Sequence, residues 1–123
     1  MKLHLDRTDS YNTITGYGID HVLINGVRHI SSTLVLPDEV LPDWAGSLEQ
    51  LSMVDFDSIV MRVPEIVLLG TGQQHRFPSP ALYRALLAAR IGVEIMSTPA
   101  ACRTYNILAG EGRRVAAALL LDA

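Results

Sequence analysis

The stretch from Glu65 to Leu121 constrains the fold most, because three short apolar runs alternate there with two segments of helical character. Glu65–Leu69 is a short, largely apolar run rich in β-branched residues, Val93–Met96 reads as a further strand, and Val115–Leu121 contains no polar residue. The first and last of these suit strands covered on both faces. Between them, Ser79-Pro80 and Thr98-Pro99 each set a hydroxyl residue before a proline. That is the pattern of an N-cap followed by a proline whose missing N–H is harmless in the first helical turn. Leu82, Leu86 and Leu87 give the first helix a core stripe before Gly92 stops it, and the second helix runs from Thr98 to about Ala109. A β-α-β-α-β run this short implies parallel pairing through right-handed crossovers.

The first half reads as β structure, with strands over Tyr11–Tyr17, Asp20–Ile24, Val27–Ile30 and Thr33–Leu36. Asn25-Gly26 is the strongest turn signal, since both residues tolerate the positive φ of a type I′ hairpin. That turn sets Val22 opposite His29 and His21 opposite Ile30, so the two histidines project from opposite faces and cannot share a metal ion. From Leu36 to Asp43, two prolines and three acids break the pattern. Asp55 is placed to cap a short helix that runs to about Arg62 and closes at Pro64. The fold class is therefore α/β, a β-rich first half followed by a β-α-β-α-β second half.

A chain of 123 residues with 49% hydrophobic and 19% charged residues is expected to form one domain over residues 1–123 around one core. Its apolar bias leaves room for part of the surface to be covered by another protein or by a second copy, as a homo-oligomer. A net charge of −3 with interspersed signs lacks the footprint of nucleic-acid binding. Met1 to Asp6, followed by Arg7, alternates polar and apolar residues without the apolar stretch of a signal peptide. Val115–Leu121, the longest apolar run, is far short of the roughly 20 residues of a membrane span. One cysteine cannot form a disulfide within the chain, and a reducing cytoplasm is the expected home of a soluble protein.

In a parallel α/β arrangement, ligands favour the crevice at the strand carboxyl ends, where the following helices begin. Gly70, Thr71 and Gly72 leave the first strand there, and the helix starting at Thr98 offers unsatisfied N–H groups to an anion. The connection from Gly70 to Pro78, which carries Gln73, Gln74, His75 and Arg76, is longer than such connections usually are. Against this stands the plainer reading that the glycines only permit a tight exit and the loop is solvated, since Gly-x-Gly lacks the further residues of a nucleotide fingerprint. Cys102 lies early in the Thr98 helix, where the dipole lowers a thiol pKa, but lone cysteines usually pack in cores and no histidine is close in sequence. Arg103, Asn106, Glu111 and Arg113 form a polar group around the same helix, which either binds something or, with Arg114, builds a charged turn. His4 is isolated and Cys102 has no zinc-ligand spacing, so neither a metal nor a cofactor is indicated. Glu65 and Glu94 stand at or in strands leading to the crevice but form no paired-carboxylate arrangement that spacing alone defines.

Gly70-Thr71-Gly72, Pro78, Gly92-Val93-Glu94, Met96-Ser97-Thr98, Ala100-Ala101, Arg103-Thr104-Tyr105-Asn106 and Glu111 to Ala117 carry a resemblance. Over essentially its whole length the chain resembles a family of small bacterial domains of unknown function that includes the mitochondrial complex I assembly factor 3 proteins. The resemblance implies a compact three-layer mixed domain and supplies no catalytic residue set. It implies a shared crevice around Gly70 to Gly72 and Arg103 to Asn106 without saying what fills it. Two functions stay open: a non-enzymatic interaction or assembly-factor-like module with a protein partner, and a binder of, or enzyme acting on, a small anion. The residues for the second would be Gly70, Thr71, Gly72, His75, Thr98, Cys102, Arg103 and Asn106.

Overall fold

The computed structural model describes residues 11–122. The features read above in Met1 to Arg7, including His4, lie outside that range. Two sheets and three α-helices build the fold. The first sheet has strands β1 (Ile14–Tyr17), β2 (Val22–Ile24) and β3 (Val27–His29), all antiparallel. The second comprises β4 (Thr33–Leu36), β5 (Glu39–Leu41), β6 (Ile66–Thr71), β7 (Gly92–Met96) and β8 (Val115–Leu120) in the order β5-β4-β8-β6-β7. The helices are α1 (Met53–Val60), α2 (Arg84–Ala88) and α3 (Thr98–Gly110).

The hairpin follows its turn chemistry. Asn25 and Gly26 take φ of 54° and 80°, and the register sets Val22 opposite His29 and Ile24 opposite Val27. The β-α-β-α-β run is also present: β6 pairs parallel with β7 on one side and with β8 on the other. β8, completely buried, sits between β6 and β4, which lies antiparallel to it. Its alternation sends Ala116, Ala118 and Leu120 to one side and Val115, Ala117 and Leu119 to the other.

Three layers result. On one side of the five-stranded sheet, Phe56 and Ile59 of α1 and Leu86 of α2 pack with Leu34, Leu36, Val67 and Leu69. On the other, Ala101, Cys102, Tyr105 and Ala109 of α3 pack with Leu68, Ala117 and Leu119, and Ile14, Val22 and Ile24 of the small sheet close over them. Ala117, the alanine of β8 on this side, lets α3 approach the sheet closely.

Several boundaries differ from the sequence reading. Asp55 is the third residue of α1 rather than its cap: Ser52 precedes the helix, and the Asp55 carboxylate accepts the Ser52 N–H at 2.9 Å. Gly70 and Thr71 continue β6, so the strand ends at Gly72, where φ is +97°. The segment after Ser79 begins as a 3₁₀ turn over Pro80–Tyr83 and becomes α-helical only for five residues. Leu86 is buried there while Leu87 is exposed, because a short helix covers one narrow stripe. Arg90, at φ 62°, takes the left-handed turn that ends this helix, and Gly92 already belongs to β7. The broken stretch after Leu36 holds β5, which pairs back on β4 with Leu36 opposite Glu39.

Val63 takes φ 53°, a costly conformation for a β-branched residue. Its neighbours fix it there. The Val63 N–H donates to the Val60 carbonyl at 3.0 Å, and the Arg62 carbonyl accepts from Nε and Nη2 of Arg114 at 3.1 and 2.8 Å. The Glu65 N–H is held by the Arg114 carbonyl at 2.8 Å. The start of β6 is thus tied to the start of β8 whatever Val63 prefers.

Leu86, fully buried among α1, α2 and the sheet, tests the packing on that face. Leu86→Ala is expected to lower stability by about 2 to 5 kcal/mol in chemical denaturation, and a loss below about 1 kcal/mol would contradict its place in the core.

Candidate functional site

The strand ends meet the first turn of α3 directly. Ser97 is the N-cap of α3, its hydroxyl accepting the Ala100 N–H at 3.3 Å, and Thr98 is the first helical residue rather than the cap. The reason is that the Thr98 hydroxyl is engaged elsewhere. It accepts the Gly72 N–H at 2.8 Å and donates to the Leu120 carbonyl at 2.6 Å, both in buried surroundings, while the Thr98 N–H donates to the Gly72 carbonyl at 2.7 Å. One side chain therefore joins the ends of β6 and β8 to α3.

Gly70 is what allows this approach. A Cβ at Gly70 would lie 2.9 Å from the Thr98 Cα and 3.2 Å from the Ala101 Cβ. At Gly72 a Cβ would come within 2.4 Å of an Asp122 carboxylate oxygen. The other oxygen of that carboxylate accepts the Gln73 N–H at 2.9 Å. The turn expected to receive an anion thus holds the chain's own carboxylate. The Thr71 hydroxyl donates to the Gln74 carbonyl at 2.6 Å and accepts the Arg76 N–H at 3.0 Å, folding the loop back on itself.

The other candidates point away from the strand ends. Asn106 grips β1: its Oδ1 accepts the Ile14 N–H at 2.9 Å and its Nδ2 donates to the Ile14 carbonyl at 2.7 Å. A side-chain amide here imitates the backbone of a neighbouring strand. Tyr105 donates its hydroxyl to the Asn12 carbonyl at 2.8 Å, and Arg103 reaches the Tyr17 hydroxyl at 2.8 Å. The Arg103 to Asn106 segment therefore seats the small sheet on α3.

Cys102, 1% exposed, has its thiol pushed up to about 12 by burial, against a slight opposing pull from Arg103. The environment suits core packing and not a thiolate nucleophile. The exposed His75 stacks its ring on Phe77 at 4.4 Å. Arg113 and Arg114 build the charged turn: Arg114 N–H and Arg113 hold the Glu65 carboxyl below its usual range, and Arg114 pairs with Asp38 at 3.0 Å.

A cleft of about 630 Å³ does lie at the carboxyl ends of β6 and β8, displaced from the expected position. Ser31, Ser32, Ser47, Glu49, Arg76 and Asp122 line it, and Thr71 is the one expected site residue on its wall. Within it Arg76 pairs with Glu49 at 3.4 Å, both well exposed. The segment over residues 44–50 that forms one wall carried no readable pattern in the sequence. Its signal was Trp44, whose indole N–H donates to the Asp55 carbonyl at 3.0 Å and anchors that wall on α1.

Fold and geometry together define a three-layer α/β domain whose most suggestive polar residues hold its layers to one another. The chain belongs to the family described as "Protein of unknown function (DUF498/DUF598)", which matches residues 14–120. A crystal structure of a Bordetella parapertussis protein is similar at 37% identity and a TM-score of 0.85, over 92% of this chain and 98% of that one. NADH dehydrogenase [ubiquinone] 1 alpha subcomplex assembly factor 3 of Bos taurus is 35% identical over 109 residues, 87% of this chain and 59% of that protein. The chain thus spans about three fifths of that relative. A "13 kDa major membrane protein" of Francisella tularensis is 30% identical over 91 residues, 74% of this chain and 72% of that one. Among the described residues no helix is long and apolar enough to cross a membrane.

Two measurements check these assignments. Thr98→Val, nearly isosteric, strands the Gly72 N–H and the Leu120 carbonyl and is expected to cost about 2 to 4 kcal/mol, whereas Thr98→Ser should retain most of the stability. A Thr98→Val variant as stable as the parent would remove the bridge from its structural role.

The Cys102 thiol, moved from 9.0 to about 12 on folding, stays protonated in the folded chain over a range where the unfolded chain ionises. Its contribution to stability is complete below about pH 9 and is lost as pH rises toward 12, and Tyr105, also raised by burial, acts in the same direction. Alkaline denaturation followed by circular dichroism should show this decline, lessened in Cys102→Ala.

Proposed function

We propose that this protein is a non-enzymatic interaction module with an assembly-factor-like role, recruiting or holding another protein rather than transforming a small molecule. One observation carries the reading. The polar groups that looked most like chemistry are each bonded within the chain: the Thr98 hydroxyl and the Asn106 amide to backbone groups, and the Gly72 N–H to the Thr98 hydroxyl. The buried, protonated Cys102 supports the same view. The similarity to a complex I assembly factor supports a protein partner for this chain too, without naming which.

A second reading rests on a separate observation. The N–H of Gln73 already holds a carboxylate, that of Asp122, beside the cleft that Arg76 lines. A small anion binding there would displace Asp122, with the Gln73 N–H and Arg76 as its cradle. The expected set Gly70, Thr71, Gly72, His75, Thr98, Cys102, Arg103 and Asn106 narrows accordingly.

Chromatography of the tagged protein from a native-cell extract separates the two. The interaction reading expects a defined complex well above the mass of the chain, and elution of the chain alone would overturn it. For the anion, thermal melting with about 10 mM phosphate or sulfate should leave Tm within about 1 °C, whereas a dose-dependent rise of several degrees that Arg76→Ala abolishes would establish the second reading.

A further inference from the structure

The five-stranded sheet ends on one side at β7. Among the described residues β7 pairs only with β6, in parallel register from Ile66 opposite Gly92 to Gly70 opposite Met96. The Gly92 N–H donates to the Glu65 carbonyl at 3.1 Å, so Gly92, Glu94 and Met96 turn their backbone groups toward β6. Val93 and Ile95 consequently turn theirs outward. The opposite edge is handled differently: β5 has three residues, lies between Pro37 and Pro42, and has Glu39 bound to Arg62. β7 is five residues long, with neither lysine nor proline to blunt it.

Its only charge is Glu94, at the centre of the strand and exposed. No cation stands within ion-pair distance of it among the described residues. An antiparallel strand using both outward residues hydrogen-bonds at Val93 and Ile95, which leaves Glu94 in the non-hydrogen-bonded pair between them, where opposing side chains are closest. A second copy using the same register would place Glu94 against Glu94. Sliding the copies by two residues in either direction loses bonds, because the Ile91 N–H is already given to the Leu86 carbonyl and the Ser97 carbonyl already accepts the Ala101 N–H. The edge therefore disfavours pairing with itself while remaining open to a strand of complementary charge.

We propose that the free edge of β7 receives an extended segment of a partner protein, laid antiparallel, hydrogen-bonded to Val93 and Ile95 and carrying a lysine or arginine opposite Glu94. This rests on the interaction-module reading and assigns its surface. Main-chain bonds supply the grip, and the pair at Glu94 supplies register and choice of partner.

The test is an NMR titration of the isotope-labelled full chain with a capped peptide of alternating threonine and valine bearing one central lysine, beside a twin with glutamate at that place. The lysine peptide is expected to shift the Val93 and Ile95 amides and slow their hydrogen exchange. It should bind about tenfold more tightly than the twin, the difference between an opposite-charge and a like-charge cross-strand pair, with the preference reversed in Glu94→Lys. Any of three results overturns the proposal: neither peptide perturbing these amides at about 1 mM, perturbations that map to another surface, or protection of both amides in the free chain. Val93→Pro, which removes an outward N–H and no β6–β7 bond, separates the two levels of argument. If a folded Val93→Pro chain still enters the native complex, the edge assignment fails and the interaction reading stands; if the unmodified chain enters none, the interaction reading itself fails.

Discussion

The Thr98 hydroxyl is the contact on which the arrangement of strand ends depends. It takes a proton from the Gly72 N–H and gives one to the Leu120 carbonyl, linking the last turns of two adjacent parallel strands to a helix that must cross close over both. Neither backbone group has water within reach in these buried surroundings, and each left unpaired would cost about 1 to 3 kcal/mol. The close crossing in turn requires Gly70 beneath the helix and small residues where helix and sheet face each other, Ala101 on α3 and Ala117 on β8, both fully buried. A sheet face built this way trades side-chain volume for proximity, and the space above α3 is then covered by the small sheet rather than by larger core residues.

That cover is attached mainly by polar means. Ile14, Val22 and Ile24 bring apolar contacts, but position comes from Asn106 bonding both backbone groups of Ile14 and from Tyr105 bonding the Asn12 carbonyl. An asparagine serves here because its amide offers a donor and an acceptor side by side, matching one residue of extended backbone. The helix thereby completes the edge of β1 without being a strand. On the far face the same problem is solved with arginine: the guanidinium of Arg114 spans Asp38 and the Arg62 carbonyl, holding the turn after α1 against the strand beside it.

The hairpin and the parallel core were legible in the sequence because each has a local cause. Asn25-Gly26 specifies its turn through φ. The continuous apolar run Val115–Leu121, too short for a buried helix and set after a helix and a charged turn, reads as a strand buried on both faces, which β8 is over Val115–Leu120. What escaped was decided by tertiary partners. Thr98-Pro99 reads as a cap and its proline, but the presence of Ser97 one residue earlier frees Thr98 for the strand ends. The β5 strand hides behind Pro37 and Pro42, which mark it as an edge rather than abolish it. Val63, a poor residue for its conformation, is held by Arg114 from fifty-one positions away, which no window on the sequence contains. The candidate site was legible as a set of unusual polar residues; that their partners would be backbone groups of the same chain was not.

The difference between the two ends of the large sheet follows from the same economy. β4 and β5 turn back antiparallel, so their edge is short and closed by prolines, whereas β6 and β7 come from a parallel crossover with no further strand beyond β7 among the described residues. A parallel edge strand must be long enough to hold its register against β6, and so it necessarily offers outward backbone groups to the solvent. With Lys or Pro excluded from β7, a single central carboxylate is the least change that prevents two such edges from pairing with each other. Unlike a bulge or a proline, a carboxylate leaves every outward N–H and C=O in place, so what protects the edge from a second copy keeps it competent for a strand that carries the opposite charge.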